Sequence, residues 1–513
     1  MDVTRRQVLE LGLKGGAALG AVATAPAIVM ADGRRPVMPS GVMSGDMLDD
    51  RVMLWSRVDR PARMLLEIAD NPDFHGARWL RGPDALPASG LTAKLDVDGL
   101  AGMDEVHYRV RFAALGDHRA LSEPVSGRLR LPAAHRRDVR FVWSGDTAGQ
   151  GWGIDEARGG MFSYETMRRQ RPDFFIHSGD TVYADGPLEE TVALPDGEIW
   201  RNLVTPAKRK VAESLDEFRG QHVYNLRDAN LRRFNAEVPM LAQWDDHETL
   251  NNWYPGEWLE DGRYMERNVP LLAARARRAF LEHMPLRQRP AAPGRIHRRF
   301  AYGPSLEVFM LDMRSFRDAN GRNRSAAGGA LLGGEQLAWL QGALRRSTAT
   351  WKIIASDMPI GLVVRDGDAF EAMANGAPGE PSGREAELAG LLRTLRDERI
   401  HNVVWLTADV HYTAAHHYAP ERARFKAFAP FWEFVSGPLH AGTFGPGELD
   451  DTFGPRVVFQ KAPPEGLANL SPAAGYQFFG QVDLDGESEA LTVTLMDAAG
   501  RTLHRQVLEP QLA

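Results

Sequence analysis

Residues 173–183, DFFIHSGDTVY, hold the decisive pattern of this chain. Phe174, Phe175 and Ile176 form a short apolar run, Ser178-Gly179 breaks it, and Asp180 and Tyr183 follow. A short continuous apolar run bounded by a turn signal reads as a strand buried on both faces. The acid therefore falls where such a strand has just ended. The same grammar recurs in RFVWSGD (140–146), MLAQWDDHE (240–248), VFMLD (308–312), WKIIASD (351–357) and VVWLTADVH (403–411). Strand ends are where α/β folds place their chemistry. A buried carboxylate is costly unless it is paired or bound to a cation. One such acid is ordinary capping, whereas several after buried strands point to a shared cation site.

Helical stretches lie between these runs, at Pro270–Met284, Glu335–Ser347 and Gly383–Arg399. The alternation predicts an α/β core with helices outside the sheets. Upstream, from about Gly41 to Pro132, the period is two. Val106, Tyr108, Val110 and Phe112 alternate with His107, Arg109 and Arg111, and Arg51–Val58 and Arg63–Ala69 read as further strands. This region is expected to be a small all-β sandwich, Ig/fibronectin-like, over 38–132, with a structural role. Pro132–Arg137 reads as a linker to a second domain over 138–505.

Two domains also suit a chain of 513 residues. The formal net charge of -7 offers no cationic footprint for a nucleic acid. Cysteine is absent, so disulfides and thiolate ligands are excluded and any metal must be held by oxygen and imidazole. The opening MDVTRRQVLELGLKGGAALGAVATAPAIVMADG places Arg5-Arg6 before a mildly apolar, small-residue stretch that ends near Ala31. It resembles a twin-arginine export signal over 1–31, with Val8 where Phe is commonest, and implies the twin-arginine machinery as a partner and a periplasmic or secreted destination. No other stretch is long and apolar enough to span a membrane.

Four motifs in order, SGD146, HSGDTVY183, WDDHETLNNW253 and LTADVH411, resemble the calcineurin-like metallophosphoesterases, and within them the PhoD-type alkaline phosphatases. The resemblance spans roughly 38–505 and implies an αββα core behind the β-sandwich. It implies that Asp180 bridges two metals, that Tyr183 and His411 bind Fe3+, and that Asp246 and Asp409 bind a second metal. It implies that His247 faces the phosphate. Asp146 stands where PhoD-type enzymes usually carry a cysteine ligand; an aspartate there matches the wider superfamily and leaves the metal's identity open. Asp357 is a further metal candidate, balanced against a structural strand-end acid. A second site of Asp180, Asp246, Asp409 and Asp357 would be almost wholly carboxylate, which suits Ca2+ or Mg2+ better than Zn2+. PhoD-type enzymes use Fe3+ with Ca2+, in agreement.

Arg158, in QGWGIDEARGG, is a candidate phosphate clamp, balanced against a surface role. Asn251 and Asn252 are candidates to support the second metal. Arg314 and Arg317 are expected in structural ion pairs, and His416, His417 and His440 are weaker candidates to line the cleft. The function expected is hydrolysis of phosphate esters by a metal-bound hydroxide, with His247 as proton donor. The alternative is a phosphodiesterase or phospholipase D-like activity on the same site. The tail from Tyr476 reads as strands rather than a covering helix, which would leave the cleft open to larger esters. A non-catalytic envelope protein and a nucleic-acid processor are the competing classes; the ligand set argues against the first, the charge and export signal against the second.

Overall fold

All six acid-ended runs become strands, three in each of two sheets, in the computed structural model, which describes residues 35–377 and 379–511. The export segment 1–31 lies outside the described residues. Val139–Ser144, Phe174–Ser178 and Met240–Gln243 are parallel neighbours in a nine-stranded mixed sheet. Leu306–Met310, Trp351–Ala355 and Val403–Thr407 are parallel neighbours in a seven-stranded sheet. Register aligns the strand ends: Ser144 pairs with His177, and Ser178 with Gln243. The loops carrying Asp146, Asp180 and Asp246 therefore leave one sheet edge side by side.

Alternation within each buried strand explains the layers. Phe141, Trp143, Phe174, Ile176 and Leu241 face the second sheet and pack with Val308, Met310, Ile353, Val404 and Leu406. The residues between them, Val142, Phe175 and Ala242, face helices Phe162–Arg169, Leu215–Asn225, Ala229–Glu237 and Val269–His283. On the far side Phe309, Ile354 and Trp405 pack against helices Gly333–Arg346 and Glu385–Asp397. The three expected helical stretches are thus present within two or three residues of their expected bounds. Apolar burial at about 25 cal/mol per Å² holds these layers together. Gln243 ties the sheets where the site begins, its amide donating to the carbonyls of Leu311 (2.8 Å) and Ala355 (2.9 Å).

The N-terminal region divides its strands between two sheets. Ala62–Ala69, Arg78–Ala85, Glu105–Ala114 and Val125–Arg130 form a separate four-stranded antiparallel sheet. Val42–Gly45, Val52–Arg57 and Thr92–Val97 instead extend the nine-stranded sheet, Val42–Gly45 lying parallel to Met240–Gln243. The second layer of the expected sandwich is therefore the end of the core sheet. Residues 476–508 form three antiparallel strands, Phe478–Leu484, Leu491–Asp497 and Thr502–Leu508, at its opposite edge, as the tail pattern predicts.

Candidate metal centre

The strand ends converge on two groups of potential ligands. Oxygens of Asp146 and Asp180 and a ring nitrogen of His411 lie within 4.8 Å of one another. So do atoms of Asp180, Asp246 and His247. Asp180 belongs to both groups. The backbone is bent to achieve this: Asp146, Asp180, Asp409 and His411 have φ of 61°, 51°, 63° and 59°. Each non-glycine residue in that region costs on the order of 1–3 kcal/mol, strain that clusters at functional sites. Asp146 is anchored through its carbonyl, which accepts from the N–H groups of Leu439 (3.1 Å), His440 (3.2 Å) and Ala441 (3.2 Å).

The donor set fits cations. Both carboxylate oxygens of Asp146 are buried without a hydrogen-bond partner. Burial, reinforced by neighbouring acids, holds the carboxyls of Asp146, Asp180, Asp357 and Asp409 well above the usual carboxylate range. Such a concentration of acids favours either bound protons or bound cations. Burial pushes His411 down to about 4, which keeps its imidazole neutral. Its Nδ1 is bonded to the Gly442 carbonyl, so Nε2 presents a lone pair 3.0 Å from the Tyr183 hydroxyl and 3.7 Å from Asp146 Oδ1. A second ring hydrogen bond of this kind is the usual support of a ligating histidine.

Asp246 is the contrast. Burial would raise it, but His247, Arg314 and the Asn252 N–H hold it down to about 2. His247 is raised to about 10: burial opposes its charge, and Asp185 and Asp246 overcome that opposition. Asp185 Oδ1 sits 2.8 Å from His247 Nδ1, and its other oxygen accepts from the Asn251 N–H at 2.9 Å. The Tyr183 ring lies 4.3 Å from that of His247.

The structure gathers Asp146, Asp180, Tyr183, Asp246, His247 and His411. Asp409 and Asp357 fall outside both ligand groups, although each couples electrostatically to Asp245, at the edge of the second group. His247, rather than either of them, lies within reach of Asp180 and Asp246 in the second group. The Arg158 guanidinium pairs with Glu198 (2.5 Å) and Asp155 (3.6 Å) beside Trp200, so a clamp role would require breaking those pairs. His416 is buried against Glu433, the half-buried His417 lies against Arg422 and Trp432, and His440 bonds the Gly153 carbonyl; each has a structural partner. Arg314 and Arg317 form ion pairs as expected, but at the site itself. Arg314, fully buried, reaches Asp245 (2.5 Å), Glu371 and Asp246 (3.8 Å).

Four residues escaped the sequence reading. Asp185 follows Asp180 by five positions in GDTVYAD, and that second acid in one loop was a legible signal. Asp245 and Glu248 flank Asp246 and His247 in WDDHE. Glu248 accepts from the Thr181 N–H (2.6 Å) and hydroxyl (2.5 Å) and from the Asp245 N–H (2.8 Å), stapling two ligand loops together. Glu371 carries no local signal.

Comparison with known proteins agrees with this geometry. Residues 141–495 match the PhoD-like phosphatase family and residues 22–133 the PhoD-like phosphatase N-terminal domain. Alkaline phosphatase D of Bacillus subtilis (strain 168) is 27% identical over 446 residues, covering 80% of this chain and 71% of that protein. The solved structure of PhoD superposes with a TM-score of 0.68 at 21% identity, over 92% of each chain. Purple acid phosphatase PPD1 from yellow lupin (Lupinus luteus) seeds gives 0.55 at 10% identity, over 93% of this chain and 74% of that one, a likeness of fold alone. The family match runs from the strand before Asp146 to the strand pair after Tyr476, enclosing every residue of both ligand groups, and the chain belongs to the PhoD-like phosphatase family as a phosphoric ester hydrolase of the alkaline phosphatase type.

Proposed function

We propose that this chain hydrolyses phosphate esters at a two-part metal centre sharing Asp180. Asp146, Tyr183 and His411 would join Asp180 around Fe3+, since phenolate and carboxylate are hard donors suited to that ion. Asp246 would join Asp180 around Ca2+, one ion or two, with Asp409 and Asp357 in reserve on the same acidic wall. When bound, these cations would supply Lewis acidity at the phosphoryl oxygens and at the attacking water. The observation that carries this reading is Asp180's membership of both ligand groups, beside an Asp146 whose two oxygens have no other partner.

The chain's own residues supply the rest. Asp185 fixes His247 through Nδ1, leaving Nε2 to face the ester and donate a proton or hydrogen bond to the leaving oxygen. Asn251 fixes Asp185 in turn. Tyr183 and His411 restrain one another at 3.0 Å. The N-terminal region 38–132 and the core 138–505 are proposed as the two domains, the first structural. Residues 1–31 are proposed to send the chain through the twin-arginine route to the periplasm or beyond. Among the described residues no helix is long and apolar enough to cross a membrane.

Elemental analysis of purified protein beside a nitrophenyl monoester assay tests the proposal. Asp180→Ala should lose metal and activity together; full retention of both would overturn it. An iron-loaded sample should be coloured by phenolate-to-iron charge transfer, and Tyr183→Phe should lose that band. A parallel bis-nitrophenyl diester assay decides between the monoester reading and a phosphodiesterase or phospholipase D-like one.

A further inference from the structure

Asn469 sits in an exposed loop, outside every motif, yet it is tied to two distant chain segments, around Gln150–Trp152 and Gly442–Thr443. Its Nδ2 donates to the Gln150 carbonyl (3.0 Å), and its N–H donates to the Thr443 carbonyl (2.6 Å). The Trp152 indole N–H donates to both its Oδ1 (3.0 Å) and its carbonyl (3.2 Å). It holds a φ of 51°, a conformation that asparagine tolerates better than most residues. The segments it joins both touch the metal centre. Gly149, one residue before Gln150, lies under the Tyr183 ring. Gly442, one residue before Thr443, offers the carbonyl that orients His411. The fit leaves no room for a side chain at position 442, because a methyl carbon there would fall on Asn469 Oδ1.

We infer that Asn469 is a positioning residue, a clasp that sets the Gly442 carbonyl and through it the tautomer and direction of His411. The inference rests on the proposed ligand role of His411. A structural clip on a loop would only keep the loop in place. A clasp also fixes which imidazole nitrogen carries the proton, because the Gly442 carbonyl accepts only from Nδ1–H. The partner bonded directly to His411 is the Gly442 carbonyl, and partners of that kind are worth about 10–100-fold in metal affinity; Asn469 acts by holding it.

The test compares wild type with Asn469→Gly, which keeps the positive φ and the backbone bond to Thr443 but removes the side-chain bonds to Gln150 and Trp152 and the Oδ1 packed against Gly442, and with Leu467→Ser at the exposed loop tip. In metal-free protein, 15N chemical shifts of the His411 ring, assigned by their loss in His411→Gln, should report a single Nδ1–H tautomer in wild type and Leu467→Ser. Asn469→Gly should show a mixture. In metal-loaded protein, Asn469→Gly should release metal to a chelator 10–100-fold faster. A His411 tautomer unchanged in Asn469→Gly overturns the clasp whether or not metal is bound. A wild type that binds no metal overturns the proposed function instead, and the tautomer measurement still decides the clasp.

Discussion

Gly149→Ala puts one methyl group beneath the Tyr183 ring. Built on the backbone, the new carbon would lie 2.1 Å from Cδ2, 2.2 Å from Cγ and 2.5 Å from Cε2 of Tyr183. Carbon atoms rest about 3.5 Å apart, so the ring or the Gly149 backbone must shift by about 1.4 Å. The ring is not free to go, since it already lies 4.3 Å from His247 and its hydroxyl is 3.0 Å from His411 Nε2. A shift of that size takes the phenol out of reach of its partners. Overpacking of this kind costs about 1–3 kcal/mol of stability, and a misplacement of about 1 Å at a reacting centre costs about 10²-fold in rate. The assay is kcat on a nitrophenyl monoester together with thermal melting. The substitution should lower the melting temperature and reduce kcat about a hundredfold. In a Tyr183→Ala background, which removes the ring, Gly149→Ala should add little, as a double-mutant cycle will show. Activity within twofold of wild type and an unchanged melting temperature would refute the argument that Gly149 is required by the Tyr183 ring.

Asp185→Asn removes the nearest charge that holds His247 protonated up to about 10. The alkaline limb of kcat should move to lower pH, and an unmoved limb would separate His247 from proton donation. Arg314→Met leaves Asp245 buried without its cation and Glu371 with Arg317 alone. Breaking such a pair costs about 3–5 kcal/mol, so the denaturation midpoint of metal-free protein should fall steeply. His283 is buried on Ala279 and stacked on His222, and burial lowers it to about 4. Its folded value lies below its unfolded one, so the unfolded chain binds more protons between them. Stability is complete above about pH 6.5 and is lost as pH falls towards 4, by up to about 3 kcal/mol for this one group. His283→Leu should flatten that dependence in chelator-treated protein, measured by urea unfolding at pH 7 and pH 5.

The chain by itself determined the buried strands and the acids at their ends. Short apolar runs broken by Gly-Asp or Asp-Asp are local signals, and they placed all six strands and the ligand groups around Asp146, Asp180 and Asp246. The regular alternation of 105–112 likewise announced an antiparallel sheet. Alternation records which face of a strand is buried, but hydrogen bonding across a sheet edge leaves no mark in local sequence. That is why only the tertiary structure decided that Val42–Gly45, Val52–Arg57 and Thr92–Val97 extend the core sheet. Arg158 stood balanced between phosphate clamp and surface arginine because its partner Glu198 lies forty residues away. Arg314, Glu371 and Asn469 carry no motif, since their roles come from contacts made across 26 to 319 residues of chain. Local periodicity fixes what each segment becomes; long-range packing fixes which side chains share a low-dielectric cavity, and there charge and chemistry are set.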